Sequence, residues 1–448
     1  MAPSLGDGAA VRAELASVIP EARAGVLDVL ACEASRLRLK GEHWAGHYAV
    51  TVRRGEDPGP QVIRLSGTTA APGEDGPEPS TPHVAFGDPA WHARLPVLGL
   101  TLRTEPPDAG LPALPVLTHP ERARDLLERS IRGAGPGYDG FRLVGCAPRV
   151  VRYKPGSRCT VLYHLDYPPE LTGHSWPEVV VAKTYHGDKG RVAWSGMRAL
   201  WESPMASSDV AIAEPLAFLD ELKVLVQGPI REETTLKELI RRSLAEWTPE
   251  SRAELSRAIR RTAAGLAALH GCGVLHGELV TWEDELAEVR EMVDRVAVRV
   301  PTLAGAAEPT LRRLAELAAV EPAQPARPAH RSFRPDQVLL GGGEVGFIDF
   351  DGFCQAEPAL DIALFRSSAK ELGWSPAHTD ILAGITDEFV AEYDRHGLVS
   401  RQRVALWETL DLFTRILRCW IKVKPEKLPA AKAALETELA ALALPMPG

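Results

Sequence analysis

The sequence predicts an α+β fold in which a strand-rich segment precedes a long helical one, with a further α+β module ahead of both. Three observations predict it. Between about residues 140 and 228, short apolar runs rich in β-branched residues alternate with turn residues. After Gly228 apolar residues recur mostly at helical spacing. One strand pair, flanking a Gly-Gly-Gly turn at 341–343, interrupts that helical part. The expected division is an N-terminal module over 1–135, a β-rich lobe over 136–228 and a helical lobe over 229–448.

Bulk properties narrow the class. The chain has 448 residues, 45% hydrophobic and 25% charged, the composition of a globular protein long enough for two or three cores. Gly (38) and Pro (37) together make about 17% of it against a typical ~12%, which calls for many loops. The net charge of −9 argues against a nucleic-acid partner, whose binders usually carry a basic excess. The six cysteines form no C-x-x-C pair, so neither a zinc module nor a disulfide framework is expected. No charged and apolar leader opens the sequence, and no apolar run approaches membrane-spanning length, so a cytoplasmic protein without membrane contact is expected.

Taken in order, a short helix is expected over 9–18, stopped by Pro20, then strands over 48–53 and 61–65 around the turn 55–60. Residues 67–83 and 105–120 read as linkers, and Pro120–Arg132 as a helix with Leu126, Leu127 and Ile131 on one face. Strands follow over 149–153 and 160–167, joined by Lys154–Arg158 (KPGSR), and a third over 179–185 (VVVAKTY). A helix over 189–202 and strands over 211–217 and 222–227 complete the β-rich part. Helices are expected over 233–245, 249–270, 282–299 and 308–320, a linker over 322–328, strands over 338–340 and 346–348, and helices to the end. No internal repeat is present.

Chemistry concentrates in His330–Leu364, HRSFRPDQVLLGGGEVGFIDFDGFCQAEPALDIAL. A polar loop leads into a strand, a glycine turn and a second strand that ends in Asp349 and Asp351. Carboxylates at the end of a buried strand, opposite a polar loop, suit Mg²⁺, which takes one or two carboxylates and completes its shell with phosphate and water. The competing reading is a hairpin with a solvated acidic turn.

This segment resembles the aminoglycoside phosphotransferase / choline kinase-like family, a branch of the protein-kinase-like fold. That family's catalytic loop reads His-Gly-Asp with Asn five residues on, and its metal motif begins Ile-Asp. His330 matches the histidine, Asp349 the metal-binding aspartate, and Glu357–Asp361 a downstream stretch whose last aspartate is structural. The resemblance covers roughly 140–420 and implies a bilobal fold, a β-rich lobe before a helical one, with ATP and Mg²⁺ as cofactors. Two positions depart from it: Ser332 stands where the family has its catalytic aspartate, and Gln337 where it has a metal-binding asparagine. Glutamine still offers a carbonyl oxygen to Mg²⁺. Serine offers no carboxylate, and Asp336 or Asp351 could substitute. His276-Gly277-Glu278 looks like a second catalytic loop, but a helix follows it in place of a strand pair.

The resemblance also implies nucleotide contacts. Lys183 corresponds to the phosphate-binding lysine, and Glu202, the lone acid between Gly190 and Ser203, is its expected partner. Lys154, Gly156, Ser157 and Arg158 occupy the turn that covers phosphates, and Gln227 the hinge that meets adenine. His330 and Arg331 would shape the catalytic loop, and Arg334 would meet phosphate or acceptor. The expected activity is transfer of the ATP γ-phosphate to a hydroxyl of a small molecule or of a peptide Ser or Thr. The alternative is a pseudokinase that binds nucleotide or a partner enzyme, which Ser332 favours.

Overall fold

Leu27–Lys40 (β1), LDVLACEASRLRLK, is the longest described strand of this computed structural model, yet its sequence hides it. Its pairing with β2 (His43–Arg54) slips between Val29 and Ala31 and again between Ser35 and Arg38, where Arg36 takes φ +54°. Each slip moves the following side chains to the other face, so period-two alternation fails over the whole strand. β3 (Gln61–Thr69), β4 (His92–Leu95) and β5 (Leu100–Thr104) complete an antiparallel sheet in the order β1-β2-β3-β5-β4. Trp44, Tyr48, Val50 and Val52 of β2 point to one face, and Val11 and Leu15 of α1 (Gly8–Val18) join the same core. Asp7 caps α1 by accepting from the Ala9 N–H at 2.9 Å. A short helix α2 (Pro20–Arg23) follows it.

The structure describes residues 5–55, 59–70, 84–105, 110–154, 156–171, 175–207, 209–372, 378–422, 424 and 427–442. The expected linker at 67–83 lies largely outside them. So do parts of the turn at 55–60 and of the Pro-rich stretch at 105–120, and Pro155 of the hairpin turn.

After α3 (Leu114–Leu117), α4 (Pro120–Arg132) buries Leu126, Leu127 and Ile131 among Cys146, Val161, Tyr163 and Val180. Those residues come from β6 (Gly145–Lys154), β7 (Arg158–Asp166) and β8 (Val179–Tyr185). Helix α5 (Lys189–Trp201) comes next, and its Gly196 is a matter of space: a Cβ there would lie 2.6 Å from the Phe353 ring. The single strand expected over 211–217 is two. β9 (Val210–Ile212) leaves the sheet, whereas β10 (Pro215–Leu219) pairs with β11 (Val224–Gln227). The sheet runs β10-β11-β8-β7-β6, all antiparallel.

Helices dominate from here: α6 (Leu236–Ala245), α7 (Pro249–Gly271), α8 (Trp282–Ala297), α9 (Thr302–Val320), α10 (Ala359–Glu371), α11 (Thr379–His396), α12 (Arg401–Ile421) and α13 (Leu428–Ala441). Capping boxes at Thr235/Glu238 and Thr248/Ser251 start α6 and α7. Two small sheets sit among the helices. One runs β12 (Thr234–Thr235), β14 (Val338–Gly341), β15 (Glu344–Phe347) and β9, with β15 and β9 parallel; the other pairs β13 (Arg327–Ala329) with β16 (Cys354–Ala356).

The expected α+β class, strands first and helices after, is what the structure has. The chain groups into two compact units, 1–107 with 286–314 and 412–448, and 108–285 with 315–411. Residues 108–135, expected with the N-terminal module, thus fall in the second unit, because α4 packs on β6–β8. Val296 and Ile421, expected in the helical lobe, fall in the first, where they join the core of Trp44 and Tyr48. Among the described residues no helix is long and apolar enough to cross a membrane.

Candidate active site

The β14–β15 hairpin turns through Gly342 (φ +59°) and Gly343 (φ +81°), a left-handed pair that suits glycine. β15 then delivers Ile348, Asp349, Phe350 and Asp351. Phe347, Phe350 and Phe353 are buried and anchor the segment on both sides of the acids. Asp349 is held at φ +73°, a conformation that costs a non-glycine residue of order 1 kcal/mol and persists only where the surroundings enforce it.

Around these carboxylates the second unit gathers cations and a phenol. Arg158 Nη1, at the start of β7, lies 3.3 Å from Asp349 Oδ1 and 3.2 Å from Asp351 Oδ2. Tyr185 on β8 donates its hydroxyl to Asp351 Oδ1 at 2.9 Å. Burial alone would raise the Asp349 carboxyl, but the Lys183 and Arg158 charges hold it well below the usual carboxylate range. Burial and the Asp349 charge push Asp351 up to about 6. One acid is therefore held firmly ionised while its neighbour titrates near neutrality.

The polar loop 330–337 faces this end of β15 through its backbone. The buried His330 donates its backbone N–H to Asp361 Oδ2 at 2.6 Å and its Nε2–H to the Ile348 carbonyl at 3.0 Å. Burial lowers the pKa of its ring, against the pull of Asp361. The Gln337 carbonyl accepts from the Ile348 N–H at 3.1 Å. Ser332 Oγ lies 3.1 Å from His330 Nδ1 and accepts from Gln337 Nε2 at 3.3 Å. Gln337 Oε1 is buried and has no hydrogen-bond partner, so a carbonyl oxygen beside Asp349's strand is left to be satisfied by something else.

Arg331, at φ +57°, ties the loop down from the other side through Glu278 (2.9 Å) and Glu285 (3.0 Å). The 276–278 segment that supplies Glu278 is zipped to β16, where Gln355 N–H donates to the Glu278 carbonyl at 2.7 Å. Gly277 (φ +98°) permits that approach, since a Cβ would lie 2.9 Å from Cys354 Cα.

The residues named from sequence do not all meet. His330, Ser332, Gln337, Asp349, Asp351, Lys183 and Arg158 come together. Lys154, Gly156 and Ser157 sit in the turn before Arg158, with the Ser157 N–H on the Lys154 carbonyl at 3.0 Å. Gln227 ends β11, buried, with Oε1 unpartnered. Arg334 and Asp336 face each other at 3.4 Å, both half-buried. The pairing expected between Glu202 and Lys183 needs correction. Glu202 caps the exposed C-terminus of α5 and pairs with Arg198 at 2.8 Å. The helix itself, KGRVAWSGMRALW, carries no acid, so the Lys183 charge acts on Asp349 and Asp351. Tyr185 and the Glu278/Glu285 clamp were missed; Tyr185 was readable as the residue two beyond Lys183 on one strand face.

The oxygen donors suit a hard divalent cation: one firmly ionised carboxylate, a second beside it, and an orphaned amide carbonyl. Among the described residues no three His, Cys, Asp or Glu side chains group as a metal site, and Mg²⁺ asks for fewer protein ligands than that.

Residues 206–407 match the model of the phosphotransferase enzyme family (APH). That span carries His330, Gln337 and Asp349. No curated protein matches the sequence. Among solved structures, a choline kinase from Cryptosporidium parvum is 10% identical over 72% of this chain and 95% of its own, at a TM-score of 0.48. A glucosamine kinase is 16% identical over 98% of both chains, also at 0.48. An ADP-bound aminoglycoside phosphotransferase is 13% identical over 67% of this chain and 94% of its own, at 0.45.

Proposed function

We propose that this chain is an ATP- and Mg²⁺-dependent phosphotransferase that moves the γ-phosphoryl group to a hydroxyl. The observation that carries this reading is the convergence of Lys183, Arg158, Asp349 and Asp351, with the free Gln337 carbonyl, beside a loop that offers a hydroxyl and an imidazole. Phosphoryl transfer passes through a loose transition state in most analyses, so positioning and charge stabilisation do most of the chemistry.

In this reading Lys183 and Arg158 hold the phosphates, and the 154–158 turn covers them. Asp349 and Gln337 would hold Mg²⁺, which neutralises phosphate charge when bound. Asp351, titrating near 6, can take up a proton close to the reacting centre. Gln227 stands at the hinge with an unpartnered acceptor for the base. The acceptor class is a small-molecule alcohol or a peptide Ser or Thr.

Thermal unfolding tests the reading. ATP with Mg²⁺ should raise the midpoint of the wild type, and Asp349→Ala and Lys183→Ala should lose that rise. No response of the wild type to any nucleotide would overturn the proposal. One observation favours a second reading, a nucleotide-binding scaffold without transfer: the loop has no carboxylate at Ser332. Nucleotide binding with neither turnover nor phosphoryl transfer to any group would decide for it.

A further inference from the structure

We propose that Ser332 is itself an acceptor of the phosphoryl group, which makes the loop 330–337 a self-phosphorylation site. This rests on the nucleotide reading above and goes beyond it.

Hydrogen-bond accounting carries the inference. His330 Nε2–H is committed to the Ile348 carbonyl at 3.0 Å, so in the neutral ring Nδ1 holds the lone pair. Ser332 Oγ lies 3.1 Å from that nitrogen. The same Oγ already accepts from Gln337 Nε2 at 3.3 Å. The hydroxyl proton is therefore directed to Nδ1, and a lone pair on Oγ remains for a new bond. A nucleophile within reach of its base, with the base oriented by a third group, is the arrangement that activates serine for covalent catalysis. The ring cannot turn away, because Phe350 and Phe333 pack against it at centroid distances of 4.8 and 5.6 Å. Ser332 is only half-buried while His330 is fully buried, so the nucleophile is reachable and the base is shielded.

The step balances. Ser332 Oγ attacks the γ-phosphorus of a bound nucleoside triphosphate, and the Oγ–P bond forms. The bond from that phosphorus to its bridging oxygen breaks, and its electron pair leaves on the nucleoside diphosphate. The hydroxyl proton moves to His330 Nδ1. The Asp361 carboxylate on the His330 backbone supplies counter-charge for the imidazolium. The product places about −1.5 to −2 charges at a loop position that now has no acid.

The full chain, incubated with γ-labelled ATP and Mg²⁺ and no other acceptor, should gain one phosphoryl group, mapped by peptide mass spectrometry to Ser332. Ser332→Ala should remove the label. Ser332→Thr, which keeps a hydroxyl, should retain label at the substituted position. His330→Asn should slow labelling by about 10²- to 10⁴-fold, the usual worth of a general base. If that buried variant fails to fold, the alanine and threonine pair still decides. Asp349→Ala and Lys183→Ala should stay unlabelled, and label on them would trace to a co-purified kinase and overturn the proposal. Label at another residue would also overturn it. A nucleotide-induced thermal shift without label would overturn self-phosphorylation and leave the nucleotide reading standing. Neither shift nor label would overturn both.

Discussion

At the carboxyl end of β15, Asp349 and Asp351 share the charges of Arg158 and Lys183, whereas the loop 330–337 that backs them turns only neutral groups inward: an imidazole held uncharged by burial, a hydroxyl and an amide. The charged end is assembled from three distant strands and loops. The neutral end is local, with Ser332 two residues from His330 and five from Gln337. Transfer through a loose transition state needs charge stabilisation more than it needs a strong base. In the proposed reaction the electrostatic clamp would carry the transfer, with a hydroxyl, Ser332, where the resembled family has its loop carboxylate. Beside the Arg331 clamp on Glu278 and Glu285, the neutral end is held by one fully buried acid, Asp361.

Removing that acid is the most direct way to break the comparison. Asp361 is fully buried and accepts from both the His330 backbone and the His270 ring at 2.6 and 3.2 Å. Asp361→Ala strands two donors, and the expected loss is about 3 kcal/mol or more in urea unfolding. Asp361→Asn, which keeps one acceptor, should lose less. An alanine variant as stable as the wild type would show that the loop is held elsewhere.

At the charged end the sharper probe is pH. Asp351 titrates near 6, above the ordinary carboxyl value, because it is buried beside Asp349. Its protonated form is thus favoured in the folded state. The stabilisation is complete below the unfolded pKa, near 4, and is lost as pH rises through about 6. Asp351→Asn mimics the protonated form, so its stability relative to wild type should climb between pH 4 and 6 and then level off about 3 kcal/mol higher. A flat difference across that range would mean that Arg158 neutralises both acids equally. Arg158→Ala should act in the opposite sense, costing about 1 kcal/mol at pH 8 and less at pH 4, where Asp351 is protonated and Asp349 alone still carries its charge.

The two ends were unequally legible in the sequence. The hairpin and its loop could be read because strand, glycine turn, strand and acids follow one another within a few residues. The charged end depends on Arg158 and Asp349 meeting across 191 positions, a contact that no local pattern encodes. Lys183 was placed by its apolar strand, and Tyr185 follows it at period two. β1 stayed hidden because two register slips defeat alternation, and the run at 211–217 concealed a strand that leaves one sheet for another. The split of 108–135 from the N-terminal module is a matter of which core Leu126, Leu127 and Ile131 enter, and an amphipathic helix does not name its partner.

Glu202 offers the smallest effect and the finest distinction between the two ends. The sequence offers it as the partner of Lys183 because it is the lone acid between Gly190 and Ser203. On α5, however, Ala193, Gly196, Met197 and Leu200 form the buried face, and Glu202 emerges past its end, 63% exposed beside Arg198. An exposed pair four residues apart contributes about 0.3–0.5 kcal/mol. Glu202→Ala should therefore change stability by less than about 0.5 kcal/mol and leave the nucleotide-induced thermal shift intact. Should that shift vanish, the helix must move to bring the acid onto Lys183 when nucleotide binds, and Asp349 and Asp351 would only be holding the lysine in the meantime. If the shift persists, the lysine's counter-charge belongs to Asp349 and Asp351 alone, and the clamp works without any acid from α5.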